Sequence, residues 1–332
     1  MNITVIGAGA WGTALAISLA EQHRVSLWAR DVEQVAIMRT TRCNHRYLPG
    51  ASLPENLILT SDFEGSLLGC ELLVVAVPTA ALRATLQRLA SSGLPRDCGV
   101  VWLCKGFEAE TTMLPHQLAG QELPSGTQYG VLSGPSFALE VALGLPAALV
   151  LASGDESFAQ KTAQVLHHAR LRVYASNDVI GVEVGGAVKN VMAIAAGICD
   201  GMKLGNNARA ALITRGLAEI TRLGLKLGGR PETLGGLSGA GDLILTCTGD
   251  LSRNRRVGLL LAQDMSLDDI LQQLGHVAEG VYAVREVHRL AELLAVDMPI
   301  CEAVYCVLYG NVPVREMVAH LLNRTASLEF GH

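Results

Sequence analysis

Lys189 lies in Val184-Gly-Gly-Ala-Val-Lys-Asn-Val191, inside a stretch from Val179 to Ile198 that reads as one helix with apolar residues on nearly every side. A buried ammonium loses hydration and must find partners or drop its pKa, and either outcome suits a lysine that moves protons. Gly185 and Gly186, at i−4 and i−3, lie one turn before it on the same face, where their missing side chains leave room for a flat ligand. The competing reading is a lysine that snorkels to the surface; the two glycines beneath it and Asn190 beside it favour a site.

Four other groups could do chemistry with it. Gly7-Ala-Gly-Ala-Trp-Gly12 stands between the strand-like Asn2 to Ile6 and an Ala/Leu-rich helix from Thr13 to Glu21, the setting that a G-x-G-x-x-G fingerprint requires. There Gly7 serves a tight turn, Gly9 lets backbone approach a pyrophosphate, Gly12 lets helix close on strand, and the helix start presents unpaired N–H groups. Ser252-Arg-Asn-Arg-Arg256 precedes an apolar run; with Ser252 as cap, Arg253 and Asn254 fall in a first helical turn, a phosphate cup, whereas Arg255 and Arg256 read as an exposed basic face. Gly239-Ala-Gly-Asp242 releases the backbone before an apolar helical stretch, with Thr246 four residues on from Asp242 and on its face; as structure alone, Asp242 is a first-turn carboxylate favoured by the helix dipole. Lys105-Gly106 follows the apolar run Gly99 to Cys104, at the strand end where open α/β sheets bind ligands, and reads equally as a solvated turn lysine.

The elements that must position these groups change character midway. Arg24 to Trp28, Leu72 to Pro78, Gly99 to Cys104, Tyr129 to Leu132, Ala147 to Ala152 and Leu171 to Tyr174 read as strands, with helices over Ala80 to Ala90 and Glu156 to His168. The continuous apolar run at Leu72 predicts a central parallel strand covered on both faces. Ser136 reads as a helix cap or a ligand contact, capping being preferred. From Ser176-Asn177-Asp178 onward the pattern is helical: Asn207 to Leu223, then segments starting near Ser266, Val281, Ile300 and Pro313, with residues 275–280 as a loop. The sequence therefore predicts a Rossmann-type α/β domain with a parallel sheet over residues 1–177 and an all-helical domain over 178–332.

Half of the 332 residues are hydrophobic, enough for a large core in two domains. The net charge of −5 argues against general nucleic-acid affinity. Eight scattered cysteines without C-x-x-C spacing suggest reduced, partly buried thiols rather than disulfides or zinc, and the nine histidines have no metal-like spacing; His167-His168 reads as a surface pair at a helix end. No apolar run looks long enough to span a bilayer and the N-terminus does not read as a signal peptide, so a cytoplasmic chain is expected. At the end of the second strand, Arg30 leans toward the 2′-phosphate of NADP, while Asp31 suits the ribose of NAD or caps the next helix; both cofactors stay open.

Taken together, Gly7-Ala-Gly-Ala-Trp-Gly12, Lys105-Gly106, Ser133-Gly-Pro-Ser136, Gly186-Ala-Val-Lys189-Asn190, Gly239-Ala-Gly-Asp242 and Ser252-Arg-Asn-Arg255 resemble the bacterial type of the NAD(P)-dependent glycerol-3-phosphate dehydrogenase family, over nearly the whole chain and in family order. The resemblance implies reversible reduction of dihydroxyacetone phosphate to sn-glycerol 3-phosphate, supplying phospholipid synthesis, in a cleft between the two domains. It implies Lys189 as the proton donor and acceptor. It implies substrate contacts by Lys105, Asp242, Ser252, Arg253, Asn254 and backbone near Gly134 and Ser136. Cofactor contacts would come from Ala10, Trp11, Arg30, Lys105, Ala138, Arg253, Val277 and Glu279 beside Gly7, Gly9 and Gly12. On this reading Lys105 and Arg253 depress the Lys189 pKa by like-charge repulsion, and Asp242 orients the ammonium. Two other functions fit the fold: a redox-sensing NADP-binding protein without catalysis, and a two-domain reductase for a hydroxy acid. A homodimer is compatible with a helical second domain of this size.

Overall fold

Short apolar strands alternate with helices through the first half of the chain, and the alternation sorts side chains onto two faces of one sheet. The structure, a computed structural model, describes residues 1–274 and 278–323. The strands are β1 (Asn2–Ile6), β2 (Arg24–Trp28), β3 (Cys43–Asn44), β4 (Leu48–Ser52), β5 (Ile58–Thr60), β6 (Leu72–Val75), β7 (Gly99–Trp102), β8 (Tyr129–Ser133), β9 (Ala147–Ala152) and β10 (Leu171–Ser176). Eight of them form a sheet in the order β10-β9-β8-β7-β6-β1-β2-β5, and β3 pairs with β4 as a separate antiparallel ribbon. In β6, Leu72 and Val74 join the core on one face and Leu73 and Val75 the core on the other, the period of two expected of a strand covered on both sides.

The helices of this half are α1 (Ala10–Leu19), α2 (Val32–Thr41), α3 (Phe63–Leu67), α4 (Thr79–Ser91), α5 (Pro115–Glu122), α6 (Ala138–Ala142) and α7 (Glu156–Leu166). The sheet is not parallel throughout, which corrects the sequence expectation: β8 and β9 pair antiparallel, with Leu132 opposite Leu151, while β9 and β10 are parallel to each other. The cause is the short α6, which packs against α1 and hands the chain back at the carboxyl edge of β8, so the next strand must run the other way. A second correction concerns His168. The α7 helix ends at Leu166, and His168 turns inward, 8% exposed, with Nε2 2.7 Å from Ser18 Oγ on α1; it is not part of a surface pair.

The second half is helical: α8 (Val179–Gly201), α9 (Asn206–Leu227), α10 (Pro231–Leu234), α11 (Asp242–Thr248), α12 (Arg253–Leu261), α13 (Leu267–Leu274), α14 (Glu279–Leu294), α15 (Pro299–Tyr309) and α16 (Val314–Leu322). A π-helical turn, Leu237–Gly241, leads into α11. Every residue of α8 from Gly181 to Cys199 is buried, wrapped by α9, α11, α12 and α14. By length and composition α8 could cross a membrane, contrary to the expectation that no segment could, but it is the core helix of this half. Asp178 starts it: one carboxylate oxygen accepts from Gly181 N at 2.9 Å and the other from Arg230 N at 2.9 Å. Gly197 and Gly258 let α12 cross α8 at backbone contact, since a Cβ on Gly258 would stand 2.0 Å from Ile194 O. That crossing seats the start of α12 beside Asn190.

Candidate active site

The carboxyl edge of the sheet and the middle of α8 face each other, and Lys105, Lys189, Asp242 and Thr246 meet there. The Lys189 ammonium, 7% exposed, donates to Asp242 Oδ1 and to Thr246 Oγ1 at 3.0 Å. Thr246 in turn donates to Asp242 O at 2.6 Å, one helical turn back, so α11 presents the carboxylate and the hydroxyl on one face, as their spacing predicts. The π-helical turn before α11 sets the approach of Asp242, a use of such irregular turns that recurs at functional sites. Lys105, three residues beyond β7, reaches the other oxygen: its Nζ lies 2.7 Å from Asp242 Oδ2 and 3.1 Å from Gly134 O.

Burial is the largest influence on Lys189 and lowers its pKa to about 8; Asp242 raises it, and Lys105 lowers it again. Desolvation leads, as a buried ammonium requires, and Lys105 adds the expected like-charge repulsion; Arg253, exposed on the start of α12, is not one of the leading causes.

The glycines before Lys189 also serve differently from the reading as a ligand platform. A Cβ on Gly185 would stand 2.7 Å from Ser238 O, so the π-helical turn fills that space. A Cβ on Gly186 would stand 3.1 Å from Ser133 Oγ and 3.3 Å from Lys105 Cγ, so the lysine stem fills that one. Both glycines admit protein rather than ligand.

Ser252 caps α12 by accepting from Arg255 N at 3.2 Å. Asn254 donates to Asn190 Oδ1 at 3.0 Å and accepts from Gly280 N at 3.0 Å, which ties the start of α12 to α8 and α14. Arg253 stays exposed at the helix start with its guanidinium available to an anion. Arg255 departs from the expected exposed basic face: it is bound to Asp200 at 2.8 Å and to Asp250 at 3.1 Å, whereas Arg256 is exposed. Ser136 does not cap α6, whose cap position is Phe137; its hydroxyl donates to Gly134 O at 3.0 Å. Glu279 opens α14 half-buried, and burial raises its pKa against the pull of Lys105, Arg253 and Lys189. Val277 lies outside the described residues.

The cofactor half fits a dinucleotide. Gly7 has φ +114°, the turn that needs glycine, and a Cβ on Gly12 would stand 2.1 Å from Gly7 O, so helix and strand close as the spacing predicts. Around a Cβ on Gly9 there is nothing within 4 Å, and no side chain caps α1. Open space thus faces the N–H groups of Ala10, Trp11 and Gly12, a cradle for a pyrophosphate. Asn44 braces the loop from outside, donating to Ala8 O at 2.9 Å and Thr13 Oγ1 at 2.8 Å; it sits in a two-residue strand and carries no recognisable spacing. Asp31 caps α2 through Glu33 N and Gln34 N, while Arg30 is exposed at the end of β2 and Ala138 is partly exposed at the start of α6. A cavity of about 600 Å³ lies elsewhere, lined by Leu212, Ile300, Val304 and Met317 in the helical half, and contains none of these groups.

The N-terminal family model for NAD-dependent glycerol-3-phosphate dehydrogenase matches residues 2–159 and the C-terminal one residues 178–319. The chain belongs to the NAD-dependent glycerol-3-phosphate dehydrogenase family. Two similar relatives are named glycerol-3-phosphate dehydrogenase [NAD(P)+]. That of Nitrosospira multiformis is 58% identical over 333 residues, covering 99% of each chain, and that of Thiobacillus denitrificans is 58% identical over 330 residues, covering 99% of this chain and 100% of its own. The crystal structure of glycerol-3-phosphate dehydrogenase from Coxiella burnetii superposes with a TM-score of 0.92 at 42% identity, covering 97% of this chain and 99% of its own. The α/β sheet followed by a helical domain is therefore the architecture of the family.

Proposed function

We propose that the cleft reduces dihydroxyacetone phosphate reversibly to sn-glycerol 3-phosphate, with Lys189 as the proton donor and acceptor, and that the chain divides at residues 177 and 178 into a cofactor-binding and a substrate-binding unit. As a member of its family the chain is an NAD(P)-dependent oxidoreductase. The observation that carries the role of Lys189 is its burial against Asp242 and Thr246 with a pKa of about 8, close enough to neutrality for general acid and base work.

A bound nicotinamide supplies the hydride. Gly7, Gly9, Ala10, Trp11 and Gly12 would hold the pyrophosphate end of the cofactor, Arg30 the adenosine end, and Ala138 and Glu279 its flanks. Ser252, Arg253 and Asn254, at the start of α12, bind the substrate phosphate, and Lys105 and the backbone around Gly134 and Ser136 contact the substrate, so that the ketone is held near Lys189. As negative charge grows on the ketone oxygen, Lys189 releases its proton to that oxygen; in the reverse direction the neutral amine takes it back. Asp242 orients the Lys189 nitrogen in both protonation states. Sn-glycerol 3-phosphate is the backbone precursor of phospholipids, and the eight free thiols fit a reducing cytoplasm.

The test mixes protein, NADPH or NADH, and dihydroxyacetone phosphate and follows the reduced-nicotinamide absorbance. Decay with the wild type, lost in Lys189→Ala while cofactor binding persists, is the expected result; no decay at high protein concentration would favour a sensor.

A further inference from the structure

Glu183 has no part in the chemistry above, yet it is an acidic side chain only 4% exposed in the apolar helix α8. Both of its oxygens are engaged: Oε1 accepts from Trp102 Nε1 at 3.0 Å and from His116 N at 3.0 Å, and Oε2 lies 2.6 Å from His116 Nδ1. Three segments meet at this one side chain: the last residue of β7, the first turn of α5, and α8. Burial raises the Glu183 pKa and His116 opposes the rise. Packing alone has no need of such a group, because apolar residues of similar volume avoid the desolvation cost.

The contact specifies register. Three residues beyond Trp102 is Lys105, and three beyond Glu183, one helical turn, is Gly186, against which the Lys105 stem lies. Three further along α8 is Lys189, and the two ammonium groups converge on the two oxygens of Asp242. An apolar contact lets a helix slide along a strand; directional hydrogen bonds to one carboxylate do not.

We propose that Glu183, together with Trp102 and His116, is a positioning residue that fixes α8 against β7 and thereby sets the separation of the Lys105 and Lys189 ammonium groups across Asp242. It acts through the backbones of β7 and α8, since its own partners are Trp102 and His116. The inference rests on the assignment of Lys189 as the proton-transfer group.

Glu183→Ala, Glu183→Gln and Trp102→Phe in the full-length enzyme are compared with the wild type for kcat, for KM of dihydroxyacetone phosphate and NADPH, for the pH profile of kcat and for melting temperature. Glu183→Ala and Trp102→Phe are expected to lower kcat about tenfold or more, because small misplacements of catalytic groups are costly. The KM for NADPH should stay within about twofold and the pH limb of Lys189 should move, since the change acts on the lysine pair and not on the cofactor cradle. Glu183→Gln should stay within about threefold of wild-type kcat, as its amide oxygen accepts from Trp102 and His116 N while its NH2 faces His116 Nδ1. A wild-type kcat and pH limb in both disruptive variants, with only the melting temperature lowered, would overturn the proposal. Where Glu183→Ala fails to fold, Trp102→Phe decides alone. Lys189→Ala assayed alongside separates the two readings: near-normal turnover there removes the site assignment, whereas an inactive Lys189→Ala beside unimpaired Glu183 and Trp102 variants removes only the positioning role.

Discussion

Lys105 and Lys189 share one carboxylate: Lys105 Nζ lies 2.7 Å from Asp242 Oδ2, and Lys189 donates to Oδ1. One negative charge between two ammonium groups leaves the cluster cationic, and burial then brings Lys189 down to about 8. Ketone reduction needs the protonated form, so its kcat/KM should hold below about pH 8 and fall above it; kcat/KM for oxidation of the alcohol needs the free amine and should rise over the same range. Asp242 raises the Lys189 pKa, so Asp242→Asn should move both limbs to lower pH as well as slowing turnover. Rate profiles in the two directions check this, and a limb that stays put in the Asn variant would detach it from Lys189.

Arg253 is exposed at the first residue of α12, and its guanidinium adds to the free N–H groups of that helix start. Hydrogen bonds to charged groups contribute about 1.5–3 kcal/mol each, so Arg253→Ala should raise KM for dihydroxyacetone phosphate roughly 10- to 100-fold. Dihydroxyacetone, which lacks the phosphate, should be turned over equally poorly by variant and wild type. A selective loss on the phosphorylated ketone is the signature that steady-state kinetics should read.

Gly9 and Gly12 belong to one fingerprint but should fail in different assays. A Cβ at Gly12 would stand 2.1 Å from Gly7 O and 2.7 Å from Ala76 Cβ, so Gly12→Ala overpacks the strand–helix junction and should destabilise the fold by about 1–3 kcal/mol. A Cβ at Gly9 meets nothing within 4 Å, so Gly9→Ala should melt near the wild type while binding NADPH more weakly. Thermal unfolding and NADPH fluorescence titration, run on both variants, separate the two effects.

The site was readable wherever chemistry imposes spacing along the chain. The glycine fingerprint, the Asp242–Thr246 face and the Ser252 cap all follow from local geometry, and the structure has each of them. Groups that act through tertiary contact were not readable in the same way. Nothing around Arg255 announces Asp200, which lies 55 residues away, and nothing around Asn44 announces the loop it braces. In sequence Gly185 and Gly186 read as space for a ligand because a sequence records that a side chain is missing and not what enters the gap; here it is the π-helical turn and the stem of Lys105. The reversal of β9 escaped for a related reason: apolar runs carry no direction, and the short α6 that dictates it looks like any turn into a helix.

His168 offers a test of stability that is independent of the active site. Its ring lies between α1 and β10, bonded to Ser18 Oγ at 2.7 Å, and burial holds its pKa below the ordinary histidine value, with Glu21 opposing and His167, His23 and Arg170 adding to the shift. The folded state therefore prefers the neutral ring, whereas the unfolded chain takes up a proton as pH falls through about 6.5. This contribution to stability is complete above that pH and is lost as the solution is acidified toward the lower folded pKa. His168→Gln keeps a polar group beside Ser18 but cannot titrate, so its melting temperature should fall less than that of the wild type between about pH 7 and pH 5. Glu219, whose pKa burial raises to about 7, slopes the other way in both proteins, which is why the difference between the two melting curves is the quantity to read. Parallel curves for wild type and variant would mean that His168 titrates alike in the folded and unfolded chain.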